Sequence, residues 1–67
     1  KLYWIVRNAY TVEFYTGAGV LVEQKDKRRR IAPDSQIELI GGAEVKVTGT
    51  NDKEFAFNVE TGKTRRL

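Results

Sequence analysis

Sixty-seven residues make one small domain with a thin core, because a chain of this length buries only about 60% of its unfolded surface. Cys and His are both absent, which excludes a disulfide framework, thiolate or imidazole metal sites and the commonest general base. Twelve basic residues against nine acidic ones give a net charge of +3, which suits a negatively charged partner.

That charge is unevenly spread. Residues 1–30 are net +4, residues 31–60 net −4 and residues 61–67 net +3. A bipolar surface follows, suited to an oriented charged contact or to self-association. Met is absent and residue 1 is Lys, so the chain reads as a processed form or a domain cut from a longer polypeptide. No apolar run approaches the roughly 20 residues of a membrane span, and no signal peptide is recognisable. The absence of Cys fits a cytoplasmic location.

In chain order, period-two alternation predicts five or six strands. Leu2 to Arg7 is apolar on both parities, with Leu2, Trp4 and Val6 on one face and Tyr3 and Ile5 on the other. Tyr10 to Tyr15 follows, with Tyr10, Val12 and Phe14 inward and Tyr15 outward. Thr16-Gly17-Ala18-Gly19 makes a turn, and Val20 to Gln24 returns with Leu21 outward. Pro33 and Asp34 mark a further turn, read as a single turn of 3₁₀ helix. Ile37 to Ile40 and Ala43 to Thr48 form the clearest hairpin, joined by Gly41-Gly42. Glu54 to Glu60 closes the series with Phe55, Phe57 and Val59 inward. The inward parity is also assigned to Trp4, as one of the largest core groups.

Short strands and tight turns predict an all-β antiparallel meander closing into a small SH3-like or OB-like barrel. The domain spans residues 1–62, and residues 63–67 form a frayed basic tail.

One cluster dominates the functional reading. Lys25, Lys27, Arg28, Arg29 and Arg30 lie between two predicted strands and hold five of the twelve basic residues. Held out on a hairpin tip or loop, they would dock on phosphates, since the planar Arg fork meets two oxygens at once. Arg65 and Arg66 would assist, and Tyr15 would stack on a base. The expected function is therefore a non-enzymatic nucleic-acid-binding module that contacts the backbone without reading base edges.

The alternative is a protein-interaction or oligomerisation module that buries Leu2, Tyr3, Ile5 and Leu21 against a second copy or its parent protein. Catalysis has little material: Ser35 is the one Ser, and no His or Cys can activate it. No metal site, cofactor, small-molecule substrate or membrane contact is expected. Gly62-Lys63-Thr64 imitates the end of a phosphate-binding loop, but Phe57 stands where its first glycine is required and no helix follows.

Overall fold

The computed structural model describes residues 2–67; Lys1, the first residue of the expected domain, lies outside them. Seven strands form: β1 (Tyr3–Arg7), β2 (Val12–Thr16), β3 (Leu21–Val22), β4 (Gln36–Gly41), β5 (Glu44–Thr48), β6 (Glu54–Asn58) and β7 (Thr64–Arg66). They make two separate antiparallel sheets, β1-β2-β3 and β4-β5-β6-β7.

The expected barrel is therefore corrected to two open sheets. No strand of the first sheet pairs with a strand of the second, so neither sheet is closed. The cause lies in residues 23–35, which cross from one sheet to the other as turns and irregular chain with no ladder pairing. The Pro33-Asp34 turn is fixed by the Ser35 amide donating to the Ala32 carbonyl at 3.0 Å. The tail also differs from expectation, because Thr64, Arg65 and Arg66 pair with Phe57, Ala56 and Phe55 as β7.

Alternation places the core between the sheets. Val12, Phe14 and Val22 come from the first sheet; Val45, Val47, Phe57 and the post-strand residue Val59 come from the second. Ile31, inside the crossover, completes the cluster. The Phe14 and Phe57 rings stack with centroids 4.5 Å apart, which fastens the two layers together.

Two glycines have conformational work to do. Gly42 at the tip of the β4–β5 hairpin has φ +54°, as a primed turn requires. Gly62, between β6 and β7, has φ +78° and lies so close to the Glu23 carbonyl that a Cβ would collide with it. Its own carbonyl accepts the Lys25 amide at 2.9 Å, tying the start of the crossover to the second sheet.

The β1 parity is opposite to that expected for Trp4. Tyr3 and Ile5 pack on the core cluster, while Trp4 and Val6 point outward and are 49% and 46% exposed. The ladder decides this: Ile5 stands opposite Phe14, and Trp4 opposite Tyr15. Tyr10 is not inward either; it sits in the β1–β2 turn and is 75% exposed. That turn is held by the Asn8 Oδ1, which accepts the amides of Tyr10 and Thr11.

Candidate functional site

The predicted phosphate-binding residues are dispersed, not gathered on one projecting loop. Arg28 turns back on Asp26: its Nε lies 3.3 Å from Asp26 Oδ1. Asp26 Oδ1 also accepts the Arg28 amide, and these bonds hold its carboxyl below the usual range, the backbone bond contributing most. Arg29 turns inward, donating to Thr64 Oγ1 at 3.0 Å with its guanidinium carbon 5.9 Å from the Phe55 ring centroid. Arg30 donates to the Tyr10 carbonyl at 3.0 Å. Gln24 staples the bend by donating Nε2 to the carbonyls of Asp26 and Arg29. The segment is a stitched crossover, not a free hairpin tip.

The remaining predicted contacts lie elsewhere. Arg65 sits on the outer face of the second sheet, bound by both carboxylate oxygens of Glu44 at 2.8 and 2.9 Å. This fork holds Glu44 below its ordinary range and raises Arg65. Tyr15 is half-buried on the outer face of the first sheet, in a row with Trp4 and Leu21. Lys25 and Lys27 are exposed on the crossover, with no ion pair among the described residues. Lys25, Lys27, Arg65 and Tyr15 lie outside the cleft that Arg28, Arg29, Arg30 and Arg66 border. The nucleic-acid-binding barrel is thus replaced by a small all-β domain with two open sheets and no displayed basic loop.

The two outer faces differ sharply. On the second sheet, Lys46 lies 3.5 Å from Glu54 and 4.0 Å from Glu38, and Arg65 holds Glu44. Ala56, between these long side chains, is fully buried under them. On the first sheet, Leu2, Trp4, Val6 and Leu21 are exposed and Tyr15 half-exposed, with Glu13 and Glu23 at one margin. Of the interface residues expected from sequence, Leu2 and Leu21 lie on this face, whereas the side chains of Tyr3 and Ile5 are turned to the core.

The four sheet edges also differ. β3 has two residues. β7 has three and carries Arg65 and Arg66. β4 carries Glu38 and a register irregularity between Leu39 and Gly41. Shortness, charge and bulges all discourage pairing with another chain. β1 has five residues, Tyr-Trp-Ile-Val-Arg, and none of these devices before Arg7.

The ladder phase tells which β1 groups face outward. The Asn8 amide donates to the Thr11 carbonyl at 3.1 Å, and Thr16 donates away from β1 to Val20 at 2.8 Å. By antiparallel alternation, Trp4 and Val6 direct their backbone groups at β2, and Tyr3, Ile5 and Arg7 direct theirs at the open edge. The sequence marks this two-sided apolar strand as a candidate for pairing with another chain, but because both parities of β1 are apolar the pattern alone fixes neither its exposed face nor its neighbour.

A second feature is a cleft of about 840 Å³ between the crossover, the β5–β6 turn and the end of β7. Arg28, Arg29, Arg30, Lys53 and Arg66 line it. Among the described residues, no cluster of acidic side chains could hold a metal ion, and no helix is long and apolar enough to cross a membrane. Comparison with protein-family models, curated proteins and solved structures finds no match to this chain.

Proposed function

We propose that this domain is a non-catalytic assembly module that pairs with a second copy of itself along β1. The observation that carries the reading is the contrast between β1 and the three blunted edges. The open-edge residues Tyr3, Ile5 and Arg7 are symmetric about Ile5. Antiparallel pairing on a twofold axis through Ile5 therefore sets Tyr3 opposite the partner's Arg7 and Ile5 opposite the partner's Ile5, satisfying every open backbone group of the strand. On the outer face the same register puts Trp4 beside the partner's Val6, an aromatic–β-branched pair of the kind that stabilises sheets. No like charges meet. Two three-stranded sheets then become one of six, which adds burial to a domain whose own core is thin.

Sedimentation velocity over a concentration series tests this. A reversible dimer is expected, and Val6→Lys, which sets a charge on the exposed outer side of the edge, should leave a folded monomer. A wild-type protein that stays monomeric at millimolar concentration would remove the proposal.

A further inference from the structure

We infer that the cationic cleft binds a small organic oligoanion with a flat apolar body. Its volume, about 840 Å³, lies in the range of small-molecule sites. Phe55, with the Arg29 guanidinium over its ring, forms the floor, and the other charges stand around it.

Two of those charges are aimed by the fold. Arg66 stands directly opposite Phe55 in the β6–β7 ladder and so shares its inward parity. Arg29 is held in place by Thr64 and the Phe55 ring, with four of its five N–H groups left for a ligand. Lys53 closes the far wall from the β5–β6 turn. Among the described residues, none of Arg29, Lys53 and Arg66 has a carboxylate within ion-pair distance. Glu54 is the one acidic side chain lining the cleft, and its carboxylate is engaged by Lys46 on the outer face. Arg28 is paired with Asp26, but Arg29, Lys53 and Arg66 gather positive charge beside Phe55 with no carboxylate ion-paired to them among the described residues. An aryl di- or tricarboxylate matches it: the ring stacks on the planar Arg29 guanidinium that covers Phe55, and the carboxylates meet the other cationic groups.

Benzene-1,3,5-tricarboxylate is the probe, measured by isothermal titration at low salt. Arg66→Gln and Lys53→Gln alter exposed side chains and should each weaken binding roughly three- to tenfold. Lys63→Gln removes an equal charge outside the cleft and should change nothing. Citrate, which has the carboxylates without the ring, should bind more weakly than the probe. The inference is overturned if the probe fails to bind at millimolar concentration, if Lys63→Gln weakens it as much as Arg66→Gln, or if citrate binds as tightly. The Val6→Lys variant should retain full binding, since β1 forms no part of this site.

Discussion

The ring of Phe14 lies stacked on the ring of Phe57, 4.5 Å between centroids and 25° between planes, and this pair spans the gap between the two sheets. Both rings are almost wholly buried. Phe57→Ala should cost about 3–5 kcal/mol, which is comparable to the whole stability of a domain this small. The milder Phe14→Leu and Phe57→Leu variants should stay folded. Their double-mutant cycle in urea should show a coupling of roughly 0.5–1.5 kcal/mol, and an additive pair would mean the stack adds nothing beyond burial.

Gly62 and Gly19 make a matched comparison. Both have positive φ, +78° and +88°, but a side chain at Gly19 meets open space and one at Gly62 meets the Glu23 backbone. Gly19→Ala should cost about 1–2 kcal/mol from conformation alone. Gly62→Ala should cost more than about 2 kcal/mol, because the crossover must shift as well. Equal chemical-denaturation midpoints for the two variants would contradict this account.

The Arg65–Glu44 fork makes stability depend on pH in a defined direction. Folding depresses the Glu44 carboxyl, with the Arg65 hydrogen bond as the main cause. Its contribution is present above the unfolded value, about 4.3, and is lost as pH falls through the lower folded value. Asp26, depressed by Arg28, acts in the same sense. In a carboxylate-detected NMR titration, Arg65→Gln should move the Glu44 midpoint up toward the ordinary value and leave Asp26 unchanged. A Glu44 midpoint that does not move would show that the fork is not what lowers it.

Trp4 is the single Trp of the chain and sits on the proposed pairing face. Its emission should shift to shorter wavelength as concentration rises, because the partner's Val6 covers part of the indole. In Val6→Lys the emission should be independent of concentration. Concentration-independent emission in the wild-type protein alongside a sedimenting dimer would place the contact on another face.

Much of the strand pattern is legible in the sequence, because alternating apolar positions report which side of a strand is buried. β5 and β6 show this plainly: Val45, Val47 and Phe57 are all buried. β7 is not legible, because Thr64-Arg65-Arg66 has no apolar residue and becomes a strand only through its pairing with β6. Closure is not legible either. A barrel and two open sheets place the same residues inward and differ only in pairings across the crossover. The orientation of Trp4 depends on the ladder with β2, not on β1 itself. The Arg cluster is evident in the sequence, and so is the adjacent Asp26 that holds Arg28, but Arg29 and Arg30 are directed by Thr64 and Tyr10, which lie near them only after folding.

Each sheet is built from one unbroken stretch of chain, and residues 23–35 are the single covalent strap between them. Strand pairing is therefore local throughout, and the association of longest sequence range is the docking of the two meanders through their inner faces. A nick in the strap would separate the molecule into an amino-terminal and a carboxy-terminal fragment, each carrying a complete sheet. The two fragments should reassociate on mixing, joined by the Phe14–Phe57 stack and the Lys25–Gly62 hydrogen bond.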